Sequence, residues 1–143
     1  MVTLTDAEAA YIAGFVDGEG TINVLVAKAN SGTSKRYIVE MSIGQIDPRP
    51  LIFIKEKIGG TLCLARENKQ KNQKPIWFYC IQGVAFDDAI HSIYKFLILK
   101  KDKADIAIQM RNLLRNNKKG GKLTNDETNF RLSLVTKAKS FSQ

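Results

Sequence analysis

Residues 11–22 read YIAGFVDGEGTI. An apolar run suited to a helix ends by setting two carboxylates, Asp17 and Glu19, among Gly14, Gly18 and Gly20. A helix C-terminus already carries partial negative charge from its unpaired carbonyls, so acidic side chains there cost stability unless a cation joins them. The glycines close this helix instead of opening it. No helix N-terminus is offered to a phosphate, which sets aside a nucleotide-binding loop.

Upstream, Thr5 and Glu8 form a capping box, so the spacing predicts a helix that starts there and runs into the motif. Small residues recur at four-residue spacing as Ala9 with Ala13 and Ala10 with Gly14, and would let a second helix approach closely. Tyr11, Ile12, Phe15 and Val16 supply bulk for a core. Downstream the period changes to two. TINVLVA sets Ile22, Val24 and Val26 against Thr21, Asn23 and Leu25; after a polar loop, RYIVEMSIGQ sets Tyr37, Val39, Met41 and Ile43 against Arg36, Ile38, Glu40 and Ser42. Two alternating runs around a polar loop predict a hairpin.

Pro50 suits the first turn of a helix that Gly59 and Gly60 stop. TLCLARE and IWFYCIQ flank the basic stretch NKQKNQK and predict a second hairpin. Helices are expected over AFDDAIHSIYKFLI, over about 102–116, and from about Asn125, where Thr124 and Glu127 repeat the capping box. The order predicts an α+β chain: a four-stranded antiparallel sheet with helices on one face. Length bounds it to one domain over 1–143, with its core at about 5–116 and a C-terminal helix at about 124–139.

Twenty-two Lys and Arg against fourteen Asp and Glu give a formal charge of +8, the footprint of a phosphate-rich partner, and 44% hydrophobic content excludes a disordered basic tail. Cys63 and Cys80 lie in apolar runs without metal-ligand spacing and are expected to be reduced and buried. His91, the sole histidine, is expected to be structural. With no targeting segment and no bilayer-length apolar run, the expected setting is intracellular, in a prokaryotic cytoplasm or nucleoid or an organelle matrix or stroma, with no membrane.

The bare face of such a sheet would carry Thr21, Asn23, Leu25, Arg36, Ile38, Glu40 and Ser42 from the first hairpin, and Arg66, Trp77 and Tyr79 from the second, with Asn68 and Lys74 at its tip. A twisted antiparallel ribbon bearing basic, amide and aromatic groups fits the DNA major groove. A slip of one residue in a strand's parity would exchange its faces.

IAGFVDGEG, residues 12–20, resembles the LAGLIDADG signature of homing endonucleases in helix position, both acidic positions and the closing glycine. The resemblance implies that Asp17 braces the turn and that Glu19, where Asp is commoner, is the catalytic and metal-binding carboxylate, with the Gly18 carbonyl beside it. MSIGQIDPR is similar to the segment that supplies a glutamine and a basic residue near the metal, here Gln45 and Arg49. FLILKKDKA is similar to the segment that supplies a pocket lysine, best matched by Lys100, with Lys101 and Lys103 as alternatives. The implied cofactor is Mg²⁺, with Mn²⁺ a substitute and Ca²⁺ supporting binding without cleavage.

The chain holds a single copy of the motif. The resemblance then implies a homodimer joined through Ala9, Ala10, Ala13, Gly14 and Asp17, acting on long, pseudo-palindromic double-stranded DNA. The alternative is a non-cleaving protein of the same fold, either an RNA maturase or splicing factor or a DNA-binding regulator. Glu19 discriminates, because a carboxylate beside a phosphate backbone repels it unless a cation intervenes.

Overall fold

Thr5 opens the first helix by the reciprocal bonds its capping box requires: the Glu8 amide donates to Thr5 Oγ1 at 3.1 Å and the Thr5 amide to Glu8 Oε1 at 2.9 Å. In the computed structural model, which describes residues 3–28, 35–66, 74–116 and 123–141, this helix is α1 (Asp6–Glu19). It runs into β1 (Gly20–Lys28), followed by β2 (Lys35–Gln45), α2 (Arg49–Ile58), β3 (Thr61–Arg66), β4 (Ile76–Gln82), α3 (Gly83–Ile93), α4 (Lys101–Arg115) and α5 (Asn125–Ser140). The second capping box, Thr124 with Glu127, starts α5 as expected.

The four strands form one antiparallel sheet in the order β1-β2-β4-β3, so the two hairpins meet along β2 and β4. One face is packed by helices. Ile22, Val24, Val39, Met41 and Ile43 from the first hairpin meet Ile12 and Val16 of α1, Leu51 and Ile54 of α2, and Phe86 and Ile90 of α3 in a continuous core. Each such side chain withdrawn from water contributes roughly 1.5–3 kcal/mol before chain entropy is counted. Between α3 and α4 the sheet's covering layer is pinned by charge. The Arg111 guanidinium donates to both carboxylate oxygens of the buried Asp87 at 2.8 and 2.9 Å, a fork geometry that also raises the Arg111 pKa.

The first hairpin faces as its alternation predicts, but β4 is turned over. Tyr79 is fully buried, and Trp77 packs against the core from the helix-covered side, so neither joins the bare face. IWFYCI is apolar at nearly every position and carries no period of its own. Pairing decides its facing: Tyr79 lies opposite Ile43 and Ile81 opposite Met41, both core positions. The buried tyrosine hydroxyl is satisfied by donating to the Gly59 carbonyl at 2.6 Å. Gly59 and Gly60 reach that geometry with φ of 82° and 100°, and a Cβ at Gly60 would lie 2.7 Å from the Tyr79 hydroxyl oxygen.

Two further expectations are corrected. Cys63 is exposed and Cys80 half-buried, because both fall on the bare face instead of in the core. And α3, which carries His91 on its exposed side, stops at Ile93 instead of continuing through FLI: a single 3₁₀ turn, Tyr94–Phe96, follows, and Leu97 is extended and buried. The backbone beyond it is captured by Asp17. No described helix is long and apolar enough to cross a membrane.

Candidate functional site

At the end of α1 the chain turns straight into β1. The Gly20 amide donates to the Val16 carbonyl, and a Cβ at this position would lie 3.0 Å from both the Val16 Cα and its carbonyl oxygen. Only glycine lets the strand leave so close beneath the helix. The turn leaves Glu19 exposed at the junction, where Gln45, the last residue of β2, donates from Nε2 to Glu19 Oε2 at 3.1 Å. Residues far apart in the sequence are thereby joined through one hydrogen bond.

Asp17 has a different job. Its carboxylate accepts the amides of Ile98 at 2.7 Å, Leu99 at 3.2 Å and Lys100 at 3.0 Å, holding the segment before α4 against the motif. The Lys100 ammonium returns to the motif and donates to the Asp17 carbonyl at 2.6 Å. Lys101 instead lies over the Tyr94 ring, and Lys103 is buried, its pKa lowered first by burial and then by the Lys100 charge. Lys100 and Lys103 line a cavity of about 460 Å³ together with Gly20, Thr21, Asn23 and Phe141. Arg49 is not brought to this group. Its exposed guanidinium is taken by Asp47, whose carboxyl it holds at about 2.

These contacts set a prediction. Asp17→Ala strips an acceptor from three amides at once and is expected to destabilise the fold by about 2–3 kcal/mol, with Asp17→Asn losing less because one oxygen remains. Denaturant melts of the two variants beside the wild type measure it. Equal midpoints for all three would show that the segment is held by something else.

The small residues of α1 divide between two sides. Ala9 and Ala13 are buried in the chain's own core and are removed from the expected contact face. Ala10, Gly14 and Gly18 are exposed, four residues apart, with open space around Gly14 and Gly18. Asp17, also expected at that contact, is committed to the segment before α4.

On the bare sheet face, Thr21 lies opposite Ser42, Asn23 opposite Glu40, Leu25 opposite Ile38, and Arg36 is exposed near the hairpin end; Ser42, expected to be open to a ligand, is instead buried between Thr21 and Cys80 on the neighbouring strands. Arg66 is paired through its backbone opposite Ile76, and its side chain lies outside what is described; Asn68 lies outside the described residues, and Lys74 is exposed just before β4. The positions the sequence reading missed are Phe78, Cys80 and Gln82, which take the places expected for Trp77 and Tyr79. The usable signal was Gln82: as the polar end of an apolar run, it fixes the strand's parity if it is placed on the wet face.

Which metal would fit follows from the donors. Glu19 offers an exposed carboxylate, and Gly18 offers an end-of-helix carbonyl. Both are hard oxygens suited to Mg²⁺, which keeps waters and shares phosphate oxygens in place of an all-protein cage. Among the described residues no three His, Cys, Asp or Glu side chains gather into a metal cluster.

No protein-family model matches the sequence, and no curated protein matches it. Solved structures do. The homing endonuclease I-CvuI in complex with the I-CreI target, with uncleaved DNA in the presence of Mg, aligns with a TM-score of 0.77 at 20% identity over 96% of this chain and 83% of that one. The archaeal intron-encoded homing endonuclease I-Vdi141I complexed with DNA aligns with a TM-score of 0.77 at 23% identity over 96% and 86%. The LAGLIDADG homing endonuclease I-SmaMI bound to cleaved DNA aligns with a TM-score of 0.68 at 18% identity over 89% of this chain and 42% of that one. From the helix that ends in Asp17 and Glu19 to the four-stranded sheet beneath it, the chain has the LAGLIDADG homing-endonuclease fold.

Proposed function

We propose that this chain is a homing endonuclease that, as a homodimer using divalent metal, hydrolyses one phosphodiester bond in each strand of a long, pseudo-palindromic DNA site. The observation that carries the reading is Glu19, exposed where the motif helix becomes the first strand and hydrogen-bonded to Gln45. A carboxylate there is unfavourable for a protein that only holds nucleic acid, and useful for one that cuts it. The fold's solved neighbours, crystallised with DNA and, for I-CvuI, with Mg or Ca, point the same way.

In this mechanism Gln45 fixes the orientation of the Glu19 carboxylate by donating to one of its oxygens. Mg²⁺, held by Glu19 and the Gly18 carbonyl together with phosphate oxygens, would supply a Lewis acid that lowers the pKa of an attacking water and offsets charge at the phosphorus. Lys100, braced on the motif backbone, and Lys103 in the same cavity supply positive charge for the additional negative charge of the transition state. Arg49, whose guanidinium and backbone amide both donate to the Asp47 carboxylate, joins this group only by leaving Asp47.

Pairing follows from arithmetic. One chain carries one Glu19, a duplex has two strands, and an isologous contact along Ala10, Gly14 and Gly18 brings two copies of Glu19 to a twofold axis. Two carboxylates there repel, and divalent cations relieve the repulsion.

The test is cleavage of a randomised duplex library with Mg²⁺, followed by sequencing of the ends. Enrichment of one long, nearly palindromic site cut on both strands is the expected outcome, with Ca²⁺ giving binding alone and Mn²⁺ replacing Mg²⁺. A chain that retains duplex or structured RNA yet leaves every duplex intact would establish the non-cleaving alternative.

A further inference from the structure

At the centre of the bare sheet face sits an acidic residue in a chain of net charge +8. Glu40 lies on β2, an inner strand, flanked by Asn23 on β1 and Gln82 on β4. It is half-buried and held by three side chains: Asn23 Nδ2 donates to Oε1 at 3.2 Å, Gln82 Nε2 to Oε2 at 2.7 Å, and Cys80 Sγ to Oε2 at 3.4 Å. Burial, reinforced by Glu40 itself, pushes the Cys80 thiol up to about 11, so it remains a protonated donor.

On a surface meant for phosphates an ionised carboxylate is repulsive, and three side chains from the two flanking strands have no need to fix its rotamer if it only faces water. A base edge gives it a use. In the major groove, cytosine presents its N4 amino group as a donor, the partner for a carboxylate acceptor, whereas guanine presents only acceptors there and is repelled. A carboxylate has about four acceptor positions, and the three protein donors leave one for a base. The network also pre-orders the side chain, so no rotamer entropy remains to be lost on binding.

Resting on the endonuclease reading, we infer that Glu40, locked by Asn23, Gln82 and Cys80, reads the amino group of one cytosine in each half-site and rejects guanine at that position. Asn23 and Gln82 are positioning residues in this respect, each spending one amide hydrogen on the carboxylate.

Selection of bound duplexes from a randomised library in Ca²⁺, where cutting does not confuse the readout, tests it with wild type, Glu40→Gln and Gln82→Leu. Wild type is expected to favour cytosine at one symmetric position on the order of tenfold. Glu40→Gln should flatten that position to less than about twofold with the rest of the profile kept, and bind unrelated duplex more tightly because a negative charge is gone. Gln82→Leu, which leaves the charge unchanged, should weaken preference at the same position and no other.

Thermal melts of both variants confirm that they fold. An unchanged Glu40→Gln profile, a loss at a position that selects another base, or an equal change at all positions overturns the inference. A wild-type chain that selects no duplex at all overturns the endonuclease reading along with it, and so is told apart from a failure of Glu40 alone.

Discussion

Glu19→Gln is expected to lower the rate of strand cleavage in Mg²⁺ by on the order of 10³-fold while leaving duplex affinity in Ca²⁺ unchanged. The substitution keeps the side chain's length and its hydrogen-bonding partnership with Gln45, so the junction between α1 and β1 is preserved. What disappears is the anionic oxygen that a divalent cation requires. A second consequence separates this account from simple misfolding. With two carboxylates facing each other across the proposed axis, the wild-type pair is weakened in the absence of metal, and the Gln variant should associate at least as tightly as wild type in chelator. Single-turnover nicking assays, a gel-shift titration in Ca²⁺ and sedimentation in chelator measure the three quantities. Cutting at the wild-type rate would remove Glu19 from the reaction.

Gly14→Leu should do the opposite: strengthen the single chain and dismantle the pair. Position 14 is exposed in the interior of α1 and a Cβ there would meet nothing within 4 Å, so the chain has room for the new side chain. Leucine in place of glycine also improves helix propensity by up to about 1 kcal/mol. The melting temperature is therefore expected to hold or rise. Across a close helix-to-helix contact the same side chain has no room, and the loss of about 2 kcal/mol or more weakens association by roughly 30-fold. Sedimentation should report twice the chain mass for wild type and one chain mass for the variant at the same concentration. Cleavage should fall in step, since one chain holds one Glu19. A Gly14→Leu protein that remains paired and active would place the contact elsewhere and refute the arrangement along Ala10, Gly14 and Gly18.

What was legible in the sequence is what a few neighbouring residues settle among themselves. Both capping boxes are closed within four residues of chain, so Thr5 with Glu8 and Thr124 with Glu127 mark helix starts that the structure reproduces. The first hairpin alternates because one of its faces is wetter than the other, and from Thr21 to Leu25 and from Arg36 to Met41 the burial follows the pattern, whereas Ser42, expected on the wet face, is buried between Thr21 and Cys80 on the neighbouring strands. Gly20 announces the turn at which Glu19 emerges. The segment that ends β2 was recognisable as the source of Gln45, and its bond to Glu19 connects two stretches read separately.

Tertiary structure alone decided the rest, and in each case the reason is that the local pattern was degenerate. IWFYCI satisfies either parity, so the facing of β4 came from its pairing with β2 and from the Gly59 carbonyl that the Tyr79 hydroxyl needs. Alanine and glycine lie on both sides of α1, so nothing in their spacing says that Ala9 and Ala13 fill the core while Ala10 and Gly14 stay outside. The end of α3 was invisible because Leu97 and its neighbours are good helix formers; three amides drawn to Asp17, some eighty residues earlier, override that preference. Hydrophobic period and capping chemistry are written in nearest neighbours, whereas the choice between two equally apolar faces depends on distant partners, such as the Gly59 carbonyl that accepts the buried Tyr79 hydroxyl.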